Sequence, residues 1–327
     1  MRLFFLPRGR LAAWLAGLLL APAAVLAQSY PSKPIHLVVP FPPGGVADLI
    51  ARPTAEKLGQ LLGQPVIIEN RGGATGTIGA AYVAHSAPDG YTLLFGTTNE
   101  IAMSPTLYKS LPYDPTKAFA PVMPVAEFPN ILVVGPTVSA ASLADFVKQA
   151  KTQSRPLTFA SSGTGSTNHL TAELFRSQAD VSIVHIPYKG GGPALVDVAG
   201  GQVDALFATL PSAVSLIKSG KLRALAVTGA KRTAALPDVP TAREAGMPDL
   251  VVTTWNGVLA PAGTPPAIVD TLHQALIQVV ADPALKQTLA LVGAETMTAT
   301  PQEFAATIGK DYALWSGVIK HAGITAE

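Results

Sequence analysis

Short apolar runs rich in Val, Ile and Leu alternate with amphipathic helical patterns along almost the whole chain, and this alternation restricts the fold to mostly parallel sheets flanked by helices. Strands are expected at residues 35–40, 66–69, 92–96, 157–160, 183–186, 203–207, 224–228 and 251–259, with 119–134 supplying two extended runs around Pro129-Asn130. Helices are expected at 46–62, 76–85, 143–151, 166–178, 193–199, 212–219, 266–281, 283–292 and 301–322. In the first of these, Leu49, Ala55, Leu58 and Leu62 are read as the core face. The 29 Pro and 29 Gly are spread between the periodic segments, so they mark turns and helix starts rather than a flexible linker.

The first residues read as a leader. Arg2, Arg8 and Arg10 precede an apolar stretch over 11–26, and Val25-Leu26-Ala27 fits the small-residue rule for cleavage after Ala27. The alternative, a retained membrane anchor, is disfavoured because the stretch is short for a bilayer span and contains Pro22. There is no cysteine, hence no disulfide, thiolate metal site or lipidated thiol. A soluble periplasmic protein is expected. The formal net charge is +2, and removing three arginines with no acidic residue leaves −1, which argues against a nucleic-acid partner. With 48% hydrophobic and only 13% charged residues the chain is not disordered. About 300 residues after cleavage exceed what one small core organises, so two domains are expected, with a change of domain near Pro129.

Two turns carry the functional signal: Phe41-Pro42-Pro43-Gly44-Gly45-Val46-Ala47-Asp48, and Ser161-Ser162-Gly163-Thr164-Gly165-Ser166-Thr167-Asn168-His169. Each follows a strand pattern and opens a helix pattern, so each presents unpaired N–H groups where a helix dipole favours negative charge. In the first, Pro43 stiffens the entry, Gly44 and Gly45 let a ligand approach the backbone, and donors near Gly45, Val46 and Ala47 can receive a carboxylate. The plain alternative is a tight turn. Asp48 falls at the third helical position, where it can cap the helix; otherwise it faces the ligand and reads an ammonium or hydroxyl.

In the second turn Ser161, Ser162, Ser166 and Thr167 offer hydroxyls beside the flexible Gly165, for a second carboxylate or for N-capping or both. His169 packs under the loop or donates one hydrogen bond, since a lone histidine is a poor metal signal. Thr75, at a helix start, and Thr97, Thr98 and Asn99, after a strand, can add donors. Tyr188 and Asp204 are candidates from the second half, with covering a loop and fixing a turn as their structural alternatives.

In order along the chain stand Pro40-Phe41-Pro42-Pro43-Gly44-Gly45, Gly63-Gln64-Pro65-Val66 with Glu69-Asn70-Arg71, Ala87-Pro88-Asp89-Gly90-Tyr91-Thr92-Leu93, Leu111-Pro112-Tyr113-Asp114-Pro115, Pro187-Tyr188-Lys189-Gly190, Gly201-Gln202-Val203-Asp204, Gly220-Lys221-Leu222-Arg223 and Leu236-Pro237-Asp238-Val239-Pro240. Together these motifs resemble the Bug family, the TctC-like periplasmic solute-binding proteins of tripartite tricarboxylate transporters. The resemblance implies an α/β Venus-flytrap of two lobes, type II-like, closing on a small carboxylate: a dicarboxylate, tricarboxylate, acidic amino acid or aromatic acid. The expected division is 28–127 plus 232–327 for lobe 1 and 128–231 for lobe 2, with the cleft between them. It implies a monomer without cofactor, delivering its ligand to transporter membrane components, or else to a membrane sensor. Glu100, directly after Thr97-Thr98-Asn99, departs from the common pattern and places a second acid near the site. Hydrolysis is the competing class, but Ser-Ser-Gly-Thr-Gly is not a Gly-x-Ser-x-Gly elbow and no acid completes a triad with His169 or His185. No cluster of metal ligands and no nucleotide loop is found.

Overall fold

The computed structural model describes Met1 and residues 30–325; the expected leader and its cleavage point lie outside the described residues. In chain order the elements are β1 (Ile35–Val39), α1 (Val46–Leu62), β2 (Val66–Asn70), α2 (Thr77–Ala84), β3 (Thr92–Thr97), α3 (Ser104–Leu107), β4 (Phe119–Val134), α4 (Leu143–Thr152), β5 (Leu157–Ser161) and α5 (Thr167–Ala179). They continue with β6 (Ile183–Pro187), α6 (Gly191–Ala199), β7 (Ala205–Thr209), α7 (Leu210–Lys218), β8 (Arg223–Val227), β9 (Thr253–Pro261), α8 (Pro266–Ala281), α9 (Pro283–Leu291), β10 (Glu295–Thr296) and α10 (Pro301–Ala322). A π-helical turn, Asn99–Met103, leads from β3 into α3.

The expected pair of runs over 119–134 is one continuous strand. Pro129 does not break it because it sits where β4 changes partners: residues 119–129 pair with β9, and from Asn130 onward β4 pairs with β7 and β8. A missing N–H at that handover interrupts neither ladder. The next N–H, of Asn130, goes to Thr228 Oγ1 at 2.9 Å.

Strand directions around β4 set the geometry of the site. β1 and β3 are parallel, β3 and β9 antiparallel, and β9 and β4 antiparallel, so β1, β3 and the first half of β4 point the same way. The second half of β4 runs antiparallel to β7, which is parallel to β5. The carboxyl ends of β1 and β3 therefore face the carboxyl ends of β5 and β7 across the handover. Thr97 ends β3 level with Asn256 and Ala126, whereas Thr209 ends β7 level with Asn130. Four residues of β4 separate the two edges, about 13 Å at roughly 3.3 Å per residue.

Each lobe has its own apolar interior. Leu37, Ile50, Leu58, Phe95, Val125 and Leu276 belong to the first. Along α1 the buried face is Ala47, Ile50, Ala51, Thr54, Ala55 and Leu58, so Leu49, expected inward, instead stands 51% exposed. Starting that face at Ala47 rather than Leu49 fits the helical period better, because Ala47, Ile50, Thr54 and Leu58 repeat every three to four residues. In the second lobe Phe146, Phe159, Phe175 and Phe207 form an aromatic cluster with ring centroids 5.6–6.0 Å apart. Ala242 and Leu250 pack into that same interior. Residues 232–250 thus loosen in pattern yet bury apolar side chains, Leu236 among them, against residues of 131–227. Finally, α10 carries Trp315 and Ile319 into a cluster with Met103 and Leu107 of lobe 1 and Leu170 of lobe 2.

Candidate functional site

The first turn joins β1 to α1. Gly45 is the N-cap with extended backbone and no side-chain cap, and Gly44 before it has φ +80°. No acceptor among the described residues meets the N–H groups of Val46, Ala47 and Asp48. Asp48 lies beneath the turn. Its Oδ2 accepts from Gly44 N (2.9 Å) and Arg52 Nε (2.8 Å), and its Oδ1 accepts from Arg52 Nη2 (2.9 Å) and Asn70 Nδ2 (2.9 Å). Burial pushes this carboxyl up, but the hydrogen bonds from Arg52, Gly44 and Asn70 outweigh it and hold the group below the ordinary carboxylate range. Both oxygens are fully engaged, so the charge of Asp48 stays paired within lobe 1.

The second turn joins β5 to α5. Ser166 is the N-cap and accepts from His169 N at 3.4 Å, while its hydroxyl donates to Gly163 O at 2.7 Å. Thr167 and Asn168 N–H groups meet no acceptor among the described residues. Ser162 Oγ donates to Asn168 Oδ1 (2.6 Å), and Asn168 Nδ2 donates to Phe207 O (2.6 Å), which ties the turn to β7. Ser161 is fully buried, with Oγ 2.6 Å from His185 Nε2 and 3.1 Å from both N and O of Gly163. The rings of His185 and His169 stack at 3.6 Å, and burial lowers both to about 4, so both are neutral at pH 7.

Between the turns lie the end of β3 and the floor made by β4 and β9. Glu100 is fully buried and takes the N–H of Thr97 and, at 2.6 Å, its hydroxyl. Gly76, at φ +94°, closes over this carboxyl: a Cβ there would stand 2.9 Å from Oε2. Burial raises Glu100 to about 7. It points into lobe 1 instead of toward the opposite edge, so it offers no free charge to a ligand. Thr98 Oγ1 accepts from Trp255 N at 3.2 Å, and Thr75, at φ +54°, lies with Oγ1 3.5 Å from Tyr108 Oη.

Seven buried side-chain atoms have no hydrogen-bond partner among the described residues: Asn99 Oδ1, Ser104 Oγ, Thr106 Oγ1, Asn130 Oδ1, Thr254 Oγ1, Asn256 Oδ1 and Gln153 Nε2. Asn130, Thr254 and Asn256 lie on β4 and β9 around the handover, and Asn99, Ser104 and Thr106 lie in the 99–107 segment that follows β3. Buried polar atoms are nearly always paired, and a cluster of exceptions marks a place built for a ligand or ordered water.

Of the residues singled out from sequence, the first turn (Pro43, Gly44, Gly45, Val46, Ala47, Asp48), Thr97, Thr98, Asn99 and the second turn (Ser161, Ser162, Gly165, Ser166, Thr167, His169) lie at the two opposed edges, and Thr75 beside Tyr108 near them. Asp204 does not. It precedes β7 at the far end of the sheet, where it accepts from Arg155 through both oxygens (2.7 Å each) and from Thr158 N at 2.8 Å. Thr158 is three residues up-strand of Ser161, about 10 Å away at roughly 3.3 Å per residue. Tyr188 is anchored within lobe 2 by its hydroxyl donating to Asp197 Oδ2 at 2.6 Å. Sequence reasoning missed Asn130, Thr254, Asn256 and Asn168. The first three sit on strands whose apolar neighbours dominate the pattern; Asn168 had a legible signal, a side-chain amide in the first turn of a helix that opens on a Ser-rich loop.

The model of the tripartite tricarboxylate transporter family receptors, TctC, matches residues 50–324. Protein BugT of Bordetella pertussis is 39% identical over 302 residues, covering 92% of this chain and 93% of BugT. A solved R. palustris protein with adipate is 38% identical at a TM-score of 0.84, covering 90% of this chain and 99% of its own. MatC from Rhodopseudomonas palustris with bound malate is 34% identical at a TM-score of 0.79, covering 89% of this chain and 100% of MatC.

Proposed function

Because this chain belongs to the TctC family of tripartite tricarboxylate transporter receptors, we propose that it captures a small dicarboxylate by gripping one carboxylate on each of its two opposed turns. The N–H groups of Val46, Ala47 and Asp48 hold one end, and those of Thr167 and Asn168, with nearby hydroxyls, hold the other. Helix N-termini favour anions without a cationic side chain. The facing strand edges, about 13 Å apart by strand geometry, suit a short chain with an acid at each end, and similar proteins hold adipate and malate.

One observation carries this reading: among the described residues, six of the seven unpartnered buried side-chain atoms lie on β4, on β9 or in the 99–107 segment that follows β3. Ligand binding across that junction favours the closed arrangement, because only the closed form lets both turns reach one molecule. We take residues 30–129 and 253–325 as lobe 1 and 130–252 as lobe 2. Export to the periplasm with cleavage after Ala27, and delivery to the membrane subunits of a transporter, complete the proposal.

Calorimetric titration of the mature protein with dicarboxylates, tricarboxylates, acidic amino acids and aromatic acids tests it. Saturable one-to-one binding to a dicarboxylate is the expected outcome; silence across the panel contradicts it.

A further inference from the structure

The two turns are locked by the same device built from different chemistry. In each, the residue before the N-cap is a left-handed glycine, Gly44 at φ +80° and Gly165 at φ +76°. In each, that glycine's N–H is taken by the side chain of the third helical residue: Gly44 N by Asp48 Oδ2 at 2.9 Å, and Gly165 N by His169 Nδ1 at 3.1 Å. Taking this N–H out of play fixes the peptide plane leading into the N-cap, and so the direction of the N–H groups that follow. On the first turn the acceptor is a carboxylate neutralised by Arg52. On the second it is an imidazole, which accepts only while Nδ1 carries no proton.

We propose that His169 is the positioning residue of the second turn: its bare Nδ1 holds Gly165 so that the N–H groups of Thr167 and Asn168 face the incoming carboxylate. This rests on the two-turn reading of the site. His169 touches no ligand itself, being 5% exposed and packed under the turn. Its proton is confined to Nε2, which points at Glu173 Oε1 3.9 Å away; Glu173 is in turn engaged by Arg176 Nε at 2.7 Å. His185, stacked from β6, and Glu173, from α5, are the titratable groups facing the ring. From lobe 1, apolar Leu107 closes over Gly165. Protonating His169 would place N–H against N–H and free the turn.

The test uses the mature protein, malate and adipate as probes, and two variants. Asn places an oxygen where the imidazole has Nδ1, so His169→Asn keeps the acceptor and His169→Ala removes it. Wild type and His169→Asn should bind the better probe within about threefold of each other, with His169→Ala roughly tenfold weaker, the scale of one lost hydrogen bond and the order it imposed. In ¹⁵N spectra of wild type, His169 Nδ1 should give the unprotonated signature at pH 7. The Gly165 amide should lose exchange protection between pH 6 and pH 4 in wild type but not in His169→Asn. Unchanged binding by His169→Ala, a protonated Nδ1, or a Gly165 amide indifferent to pH each overturns the proposal. If His169→Ala does not fold, the spectra and His169→Asn still decide. If wild type binds neither probe, the carboxylate reading fails while the Nδ1 signature and the Gly165 amide still report on the clasp.

Discussion

The side chain of Leu107, in lobe 1, fills the space that a Cβ on Gly165, in lobe 2, would require: Cδ1 lies 2.5 Å and Cδ2 2.8 Å from that position. The lobes thus meet at the turn proposed to grip the ligand, and the meeting depends on a glycine. Gly44, the matching residue on the first turn, has nothing among the described residues within 4 Å of its would-be Cβ.

Gly165→Ala and Gly44→Ala separate two effects. Both force a side chain onto a left-handed backbone, at about 1–2 kcal/mol. Only Gly165→Ala also pushes Leu107 away, so it should lower ligand affinity well beyond the effect of Gly44→Ala at comparable melting temperatures. Paired calorimetric titrations and thermal melts check this; equal affinity losses would show that the Leu107 contact plays no part in closure.

Asp48→Ala should destabilise the protein by about 2 kcal/mol, because it strips the acceptor from Gly44 N, Asn70 and Arg52 together. The carboxyl is held below its ordinary range in the folded protein. Its contribution is therefore present above the unfolded value, near pH 4, and is lost as the pH falls through the lower folded value. Urea melts at pH 7 and pH 3 should differ less for Asp48→Asn than for wild type.

Glu100 has the opposite sign. Its folded value is raised to about 7, so the folded state binds the extra proton and the stabilisation it provides, complete below about pH 4.5, declines as the pH rises to about 7. The loss is on the order of 3 kcal/mol at most. Glu100→Gln mimics the protonated acid, with Oε1 for the Thr97 N–H and Nε2 for its oxygen, and should flatten the pH dependence between 5 and 8. A steep slope persisting in the variant would point to another group.

Thr254→Val removes an unpartnered buried hydroxyl without changing shape. Stability should hold or rise by about 0.5 kcal/mol, since nothing among the described residues bonds to that oxygen. Ligand affinity should fall several-fold if the junction atoms serve the ligand or its water. A stability loss of 2 kcal/mol or more would mean the hydroxyl has a partner within the protein.

Much of this was legible from local pattern. The start of α1 at Val46, the capping position of Gly45 and the end of β5 before the Ser-Gly turn follow from where β-branched runs stop and helical periodicity begins. The segment over 99–107 was not: a five-residue π-helical turn followed by one α-turn is too short to show a period, and Pro105 interrupts it. Asp204 lies at the opposite end of β7 from the turns, and a Gly-Gln-Val-Asp run does not say which end of a strand it occupies. The clasp of Gly165 by His169 was within reach, since Gly44 and Asp48 share its four-residue spacing; it was obscured because histidine, unlike aspartate, is not an expected cap. The unpartnered floor of Asn130, Thr254 and Asn256 needs the crossing of β4 and β9, which no local pattern encodes.

The most direct measurement is a crystal structure of the mature protein with malate or adipate, whichever binds better. The account predicts one carboxylate within about 3 Å of the Val46–Asp48 N–H groups and the other within the same distance of those of Thr167 and Asn168, the usual hydrogen-bond range. A ligand bound wholly within one lobe, or with a carboxylate paired to a lysine or arginine instead of these N–H groups, would contradict it.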